Sequence, residues 1–238
     1  MPSRPRIGAP RIRAVLFDMG GTLVEDRDFE AFCEIAEQVG IPAHPDDLAE
    51  AVRWGMNEFD RPGADPDRLD YWTAVLSKAS KADVPAPLVR AYVDRLRRRP
   101  RAPHLFSDVR RCLERLKDDR RVLGVVSNSW SEEGVRHALR EVGILGFFSA
   151  IVSSGTEGVA KPDPEIFMRA ARRIGVVPSE VFYVGDLPNT DARAAAAAGM
   201  HSVWLHRDGD GLGDDPPEIT SLSELPKLVS RTEGAPVK

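Results

Sequence analysis

The sequence predicts an α/β fold: a doubly wound parallel sheet with a helical unit inserted after the first strand. Two patterns support this prediction. Short apolar runs that end at polar residues alternate with amphipathic stretches, as strands alternate with helices in a parallel sheet. One long segment after the first run shows helical spacing of its apolar residues and no strand pattern, and this segment predicts the insertion.

Five apolar runs predict the strands of this Rossmann-like core. The first, Ala14–Phe17, is apolar throughout, as expected for a strand that is buried on both faces. The other runs are Val122–Val126, Ala150–Val152, Val181–Val184 and Ser202–Leu205. The predicted core helices are Asp108–Lys117, Glu132–Val142, Pro164–Ile174 and Ala192–Ala198. Polar residues follow several of the runs, at the carboxyl ends of the strands, where parallel sheets bind ligands.

The predicted helical unit spans residues 24–103, so residues 1–23 and 104–238 are expected to form the α/β core. Four helices are expected in the unit, because its apolar residues recur at intervals of three and four. Both connections of the unit leave from the carboxyl ends of the strands. We therefore expect the unit to cover the site as a cap.

The composition favours a soluble protein of a reducing compartment. The 238 residues include 33 Lys and Arg against 37 Asp and Glu, with both signs mixed along the chain, which argues against nucleic acid and membrane surfaces as partners. No apolar run approaches the ~20 residues of a membrane span, and the first residues lack the apolar core of a secretion signal. Cys33 and Cys112 are too few for a disulfide framework. We expect a cytoplasmic protein, and the sequence leaves its oligomeric state open.

Four segments carry the functional prediction: FDMGGTLVE, VVSNSW, KPDP and VGDLPNTDARAAAAAGM. Each lies at a boundary of a predicted element. Their order resembles that of the four motifs of the haloacid dehalogenase-like hydrolase superfamily, over residues 13–206. The place of the insertion is similar to that in the superfamily's helical-cap branch. Any one segment is weak support for the resemblance, whereas four in order are strong support.

The resemblance implies a nucleophile and a metal site. Asp18 stands where the family's nucleophile forms an aspartyl-phosphate. Asp18, Asp186 and the backbone carbonyl of Gly20 are expected to bind Mg²⁺, a hard cation that prefers oxygen ligands. Asp191 is expected to act through water or by orienting the metal-binding groups. An acid favoured by the dipole at a helix N-terminus would look the same at this position.

The resemblance also implies a binding site for a phosphoryl group. Ser127, the backbone amide of Asn128 and the hydroxyl group of Thr22 match the family's phosphoryl-binding positions. Lys161 matches the catalytic cation that offsets the negative charges of the carboxylates and the phosphoryl group. Trp130, directly after the second motif, is a candidate for the wall of the substrate pocket. The implied substrate is a small phosphorylated metabolite.

Gly20 departs from the family pattern. Phosphatases of the family usually have a second aspartate at this position, which serves as the general acid and base. Glycine supplies the backbone carbonyl but no proton donor, and general acid–base help is typically worth about 10²–10⁴-fold in rate. The candidate replacements near the site are Glu25, Asp26, Asp28 and His44.

Four interpretations remain open. The first is a Mg²⁺-dependent phosphatase that uses another acid or is limited to good leaving groups, such as acyl or anomeric phosphates. The second is a 2-haloacid dehalogenase-like enzyme, since those relatives also lack this aspartate, although they use no metal. The third is a phosphonatase-like enzyme, which needs a desolvated cap lysine, here Lys78 or Lys81. The fourth is a catalytically weak scaffold that binds phosphate or a partner protein.

Overall fold

A parallel sheet forms the centre of the protein. The computed structural model describes residues 11–25, 29–58, 69–98, 103–207, 209 and 216–233. The strands within these residues are β1 (Ala14–Phe17), β2 (Val24–Glu25), β3 (His104–Leu105), β4 (Val122–Ser127), β5 (Ala150–Ser153), β6 (Val181–Gly185), β7 (His201–Leu205) and β8 (Glu218–Ile219). Six of them form the main sheet in the order β5-β4-β1-β6-β7-β8, and all neighbouring pairs are parallel.

Helices connect the strands. Those of the described segments are α1 (Phe29–Gln38), α2 (Pro45–Glu58), α3 (Leu69–Ser80), α4 (Ala86–Arg98), α5 (Val109–Asp118), α6 (Glu132–Glu141), α7 (Ser154–Glu157), α8 (Pro164–Ile174), α9 (Ala194–Ala197) and α10 (Leu225–Thr232). Helix α8 shows why such segments begin and end where they do. The Asp163 side chain accepts a hydrogen bond from the Glu165 amide, and Gly175 ends the helix at a φ of 70°.

Both faces of the sheet are buried, as expected for a doubly wound fold. Val15 and Phe17 belong to an apolar cluster that includes residues of α5, α6 and α10. Ala14 and Leu16 point to the other face and belong to a cluster with residues of α8 and α9. Because side chains alternate along a strand, each β1 residue faces one of two layers of helices. The predicted α/β fold class is therefore confirmed.

The segment between β2 and β3 forms helices α1–α4 in the described residues. These helices share an apolar cluster, in which the ring of Trp72 lies 5.0 Å from the rings of both Tyr71 and Tyr92. Strands β2 and β3 pair antiparallel with each other. The chain therefore leaves the sheet for the helices and returns from them through two adjacent strands.

The structure corrects one predicted helix. The sequence predicts a helix over Ala192–Ala198, but the helical turns begin earlier, with a π-helix at Pro188–Arg193 that continues into α9. Pro188, Asn189 and Thr190 have low helix propensity, so sequence alone makes this stretch look like a loop. Strand β8 and the β2–β3 pair, which have two residues per strand, were also not predicted. No helix in the described part of the chain is long and apolar enough to cross a bilayer.

Candidate active site

Three of the predicted site residues, Asp18, Ser127 and Asp186, lie at the carboxyl ends of three adjacent strands. Asp18 directly follows β1, and its amide donates a 2.9 Å hydrogen bond to the carbonyl of Val184 on β6. Ser127 is the last residue of β4, and Asp186 directly follows β6. Strand β1 lies between β4 and β6 in the sheet. Three segments that are far apart in the sequence therefore lie close together at the carboxyl ends of the strands.

Three carboxylates converge at this edge. Asp18, Asp186 and Asp191 each offer an oxygen atom, and these oxygens all lie within 4.8 Å of one another. The Nζ atom of Lys161 lies between two of them and donates hydrogen bonds of 2.6 Å to Oδ1 of Asp18 and to Oδ1 of Asp191. The predicted meeting of these acids opposite a lysine is therefore present in the structure.

Tyr183 completes the network from the second residue position before the end of β6. Its hydroxyl group accepts a 3.2 Å hydrogen bond from Nζ of Lys161 and donates a 2.9 Å bond to Oδ1 of Asp191. The second oxygen of Asp191 accepts a 3.0 Å bond from the amide of Leu187. Both oxygens of Asp191 are thus held by hydrogen bonds, which suits a group that orients its neighbours.

Burial and charge set the protonation of the cluster. Burial raises the pKa of Asp18 well above its usual value, and the charges of Asp191 and Asp186 raise it further, whereas Lys161 opposes the rise. Burial alone would lower the pKa of Lys161. Its contacts with Asp18 and Asp191 outweigh burial, and the pKa of Lys161 lies well above its usual value. Lys161 is therefore a permanent cation at neutral pH.

The close approach of Asp191 to the sheet requires a glycine in β6. A Cβ atom at Gly185 would overlap the carboxyl group of Asp191. The π-helix at Pro188–Arg193 places Asp191 at this point. π-helical turns are rare and occur frequently at functional sites. The glycine of the fourth motif is thus explained by space for the carboxylate.

The donor set fits a divalent cation such as Mg²⁺. Three carboxylates lie beside the one ammonium group of Lys161, so acidic groups outnumber the basic group in the cluster. Buried charges are costly unless they are paired, and a hard divalent cation would pair them. The Oγ1 atom of Thr22 is also buried and has no hydrogen-bond partner among the described residues. We therefore expect this site to bind a cation or a polar ligand group.

A tight loop presents the backbone beside Asp18. The amides of Leu23 and Val24 both donate to the carbonyl of Met19, at 2.8 and 3.0 Å, and the amide of Gly21 donates to Val24. Gly21 has a φ of 76°, a conformation that favours glycine. Gly20 forms a β-bridge with Val24. Glycine at 20 and 21 therefore brings bare backbone, without side chains, next to Asp18.

A family model for haloacid dehalogenase-like hydrolases matches residues 12–199. The chain belongs to this hydrolase family. It is 32% identical to haloacid dehalogenase-like hydrolase domain-containing protein 3 of Danio rerio, a match that covers 90% of this chain and 95% of that protein. It is 27% identical to the phosphoglycolate phosphatase of Aliivibrio fischeri, over 88% of this chain and 92% of that one. It is also 27% identical to (S)-2-haloacid dehalogenase 2 of a Pseudomonas species, over 92% and 96%.

The phosphoryl-binding candidates of this haloacid dehalogenase-like hydrolase have different surroundings. Ser127 is buried at the end of β4. The Asn128 side chain accepts a hydrogen bond from the amide of Lys161 and donates one to its carbonyl, each 2.9 Å long. The sequence predicts a binding role for the backbone amide of Asn128. The structure shows in addition that the side chain of Asn128 holds the backbone of Lys161.

The candidate replacement acids lie outside the buried cluster or outside the described residues. Glu25 is exposed on β2. His44 is exposed and accepts a hydrogen bond from the amide of Asp46. Asp26 and Asp28 lie outside the described residues. No described acid or histidine thus takes the place of the missing aspartate inside the carboxylate cluster.

The helical unit offers no desolvated amine in its described part. Lys78 is exposed and lies over the ring of Trp54. Lys81 is 73% exposed and pairs with Asp47 at 2.9 Å, and this hydrogen bond raises the pKa of Lys81. A lysine that forms a Schiff base needs a lowered pKa. Neither lysine therefore lies in the desolvated environment that the phosphonatase-like interpretation requires.

Trp130 joins the core to the helical unit. It packs against the apolar cluster of α1–α4, and the guanidinium group of Arg97 lies 4.2 Å from its ring centre. Gly155 lies directly against the backbone of Trp130, since a Cβ there would overlap its carbonyl. Trp130 thus connects the second motif with α4. The sequence did not indicate this contact.

Sequence reasoning missed three residues of the site region. Tyr183 looks like a core residue of β6, because its hydroxyl group cannot be aimed from the sequence. The Trp204 indole donates a 3.0 Å hydrogen bond to the carbonyl of Asp186. Arg207 bonds the carbonyls of Gly21 and Thr22. Trp204 lies within β7 and Arg207 just beyond it, and the only available signal was their place at the carboxyl end of a strand.

Proposed function

We propose that this hydrolase cleaves small phosphorylated metabolites in a Mg²⁺-dependent reaction through an aspartyl-phosphate on Asp18. The observation that carries the proposal is the convergence of Asp18, Asp186 and Asp191 around Lys161 at one edge of the sheet. The similarity to a relative named phosphoglycolate phosphatase supports a substrate of this class. Asp18, Asp186 and the carbonyl of Gly20 would hold the ion.

In the proposed reaction, Oδ2 of Asp18 attacks the phosphorus atom, because Lys161 engages Oδ1. The bond from phosphorus to the leaving oxygen breaks, and the phosphoryl group is transferred to Asp18. Water then attacks the aspartyl-phosphate, which releases inorganic phosphate and restores the carboxylate. Bound Mg²⁺ supplies positive charge against the phosphoryl oxygens. Ser127, the Asn128 amide and Thr22 are proposed to bind the same oxygens.

Asp191 and Tyr183 would position Lys161 rather than react. Asp191 accepts one of the lysine's hydrogen bonds and Tyr183 accepts another, so the ammonium group is directed at Oδ1 of Asp18. A positive charge held at this point stabilises the negative charge that develops on the transferred group. The lysine is already oriented before substrate binds, which lowers the cost of reaching the transition state.

Helices α1–α4 are proposed to act as a cap of the helical-cap type, formed by residues 24–103. Support comes from their separate apolar cluster and from the adjacent strands β2 and β3 at its two ends. Trp130 and Arg97 would contribute to the contact between the cap and the core. We further propose that the protein acts in the cytoplasm.

Gly20 is proposed to restrict the reaction to substrates with good leaving groups. An acyl phosphate leaves as a carboxylate and needs no proton, whereas an alkyl phosphate needs one. The variant Gly20→Asp is expected to raise turnover of an alkyl phosphate by about 10²–10⁴-fold, the usual range for a general acid and base. Steady-state kinetics measures the change. An unchanged or lower turnover would count against this role of Gly20.

The proposed function is tested with acyl, anomeric and alkyl phosphates, each assayed with Mg²⁺ and with EDTA. Phosphate release that requires Mg²⁺ and disappears in Asp18→Asn is the expected result. Circular dichroism of the variant checks that its fold is retained. Activity that survives in Asp18→Asn refutes the nucleophile, and a panel left untouched with Mg²⁺ present favours a scaffold instead.

A second candidate function is 2-haloacid dehalogenation. The nearly full-length similarity to a 2-haloacid dehalogenase and the glycine at position 20 favour it. The Asp186 and Asp191 pair argues against it, because these carboxylates suit a metal site and the dehalogenases use no metal. Halide release from a 2-haloacid in the presence of EDTA would decide for the dehalogenase.

A further inference from the structure

Arg207 reaches from the end of β7 to the loop that follows Asp18. Its Nη2 atom donates a 2.7 Å hydrogen bond to the carbonyl of Thr22, and its Nε atom donates a 3.3 Å bond to the carbonyl of Gly21. Hydrogen bonds from a charged donor are about twice as strong as neutral ones. The loop Met19–Val24 is therefore held by a cation at two successive carbonyl groups.

The guanidinium group of Arg207 is itself held in place. Asp108 binds it through two oxygens, at 3.0 and 3.2 Å, and the ring of Phe106 lies 3.8 Å from its central carbon. A fork of two parallel hydrogen bonds fixes the plane of the guanidinium group. Arg207 can therefore hold the loop in one position, which a mobile surface arginine could not do.

Asp108 ties this arrangement to the C-terminal part of the chain. Its Oδ2 atom accepts hydrogen bonds from the hydroxyl group of Ser221 and from the amide of Leu222, at 2.8 and 2.9 Å. Burial opposes ionisation of Asp108, but the hydrogen bonds from Arg207 and Ser221 outweigh it and lower its pKa. The carboxylate is thus ionised and paired at neutral pH.

The apolar side chains of the loop, those of Met19, Leu23 and Val24, are buried in the core cluster, whereas its middle has few side-chain contacts. Gly20 and Gly21 have no side chains, and the hydroxyl group of Thr22 has no hydrogen-bond partner among the described residues. The loop's own backbone bonds, from Gly21 and Leu23 for example, fix its internal shape. Arg207 supplies a contact from outside the loop on its carbonyl side.

We propose that Arg207 is a positioning residue: paired with Asp108, it holds the backbone of Met19–Val24 so that the Gly20 carbonyl is presented beside the Asp18 carboxylate. The role in metal binding rests on the proposed function, whereas the role in ordering the loop does not. In a chain with glycine at position 20, the loop has no side chain there to anchor it. Arg207, just beyond β7, takes over that anchoring from a distant segment.

Arg121 offers a matched control at the opposite edge of the sheet. Its side chain also joins a backbone carbonyl, that of Ile12, to a carboxylate, that of Glu233, through two bonds of 2.7 and 2.9 Å. Arg121 precedes β4 and Ile12 precedes β1, so this arginine lies far from the carboxylate cluster. The variants to compare are Arg207→Met, Arg207→Lys and Arg121→Met.

The first measurement is amide hydrogen exchange of the full chain without metal. Arg207→Met is expected to speed exchange of the Gly21, Leu23 and Val24 amides by about tenfold, because their hydrogen bonds open more often. Arg121→Met is expected to leave the exchange rates of these amides at their wild-type values. Arg207→Lys, which keeps one charged donor, is expected to restore part of the protection.

The second measurement is Mg²⁺ binding by titration calorimetry. Arg207→Met is expected to weaken Mg²⁺ binding by about tenfold, the lower end of the range for residues that orient metal ligands. Arg121→Met is expected to bind Mg²⁺ as the unchanged protein does. Equal exchange and equal Mg²⁺ affinity in Arg207→Met and Arg121→Met would overturn the proposal. A lack of Mg²⁺ binding by the unchanged protein would overturn the proposed function, and the exchange comparison would still decide the role of Arg207.

Discussion

The carboxylate cluster and the helical unit α1–α4 bury their side chains in opposite ways. In the cluster, Asp18, Lys161, Tyr183 and Asp191 form one network of hydrogen bonds. In the helical unit, Trp72 packs its ring against aromatic neighbours, and the buried hydroxyl group of Tyr92 has no hydrogen-bond partner among the described residues. Polar pairing positions the first region, whereas shape and volume hold the second.

This difference shows which region needs side chains in a precise orientation. A hydrogen bond fixes the direction of a polar atom, so each member of the cluster is held at a particular angle to the others. Apolar packing tolerates other side chains of similar volume. Chemistry at the carboxylates requires the first kind of order. The helical unit can therefore change its side chains without disturbing the network.

The largest effect is expected from Lys161→Met. The variant leaves Asp18 and Asp191 buried without their cation, and the loss of one partner of a buried pair costs about 3–5 kcal/mol. The free energy of unfolding, measured by urea denaturation at neutral pH, should fall by that amount, and phosphate release should be lost. Unchanged stability would show that Lys161 does not compensate the charges of Asp18 and Asp191.

Trp72→Ala is the matched change in the helical unit. It should lower the free energy of unfolding by a similar amount, about 3–5 kcal/mol, because it leaves a cavity between Tyr71 and Tyr92. Mg²⁺ affinity, measured by calorimetry under conditions where the variant is folded, should stay the same. A large loss of Mg²⁺ affinity would break the distinction between the two regions.

A smaller effect is expected from Tyr183→Phe. The variant removes only the hydroxyl group, which bonds Lys161 and Asp191. Hydrogen bonds to charged groups contribute about 1.5–3 kcal/mol, and unfolding measurements should show a loss in that range. Turnover should fall while the Michaelis constant changes little, since the tyrosine acts on the position of Lys161. A neutral result would mean that the two carboxylates alone hold the lysine.

The smallest effect, of opposite sign, is expected from Tyr92→Phe. Burial raises the pKa of the Tyr92 hydroxyl group and keeps it neutral, and that group has no hydrogen-bond partner among the described residues. Removal of an unsatisfied buried group should raise the free energy of unfolding by about 1 kcal/mol. Thermal and chemical denaturation both measure this gain. A loss of stability would reveal a partner for the hydroxyl group.

Sequence reasoning predicted the strand ends well and the long-range anchors poorly. Asp18, Lys161, Asp186 and Asp191 could be predicted because each follows or lies in a recognisable segment, and parallel strands bring their carboxyl ends together. The π-helix was missed, since Pro188, Asn189 and Thr190 have low helix propensity. Tyr183 and Arg207 were missed because the partners of a hydrogen bond depend on side-chain direction.

The central claim is that Asp18 carries the phosphoryl group during turnover. The most direct test is to quench the protein in acid shortly after it is mixed with acetyl phosphate and Mg²⁺, and to locate the phosphoryl group by peptide mass spectrometry. The account predicts one phosphoryl group on Asp18, at a higher steady-state level in the unchanged protein than in Gly20→Asp. Turnover of acetyl phosphate without a phosphoryl group on Asp18, or with the group on another residue, would contradict it.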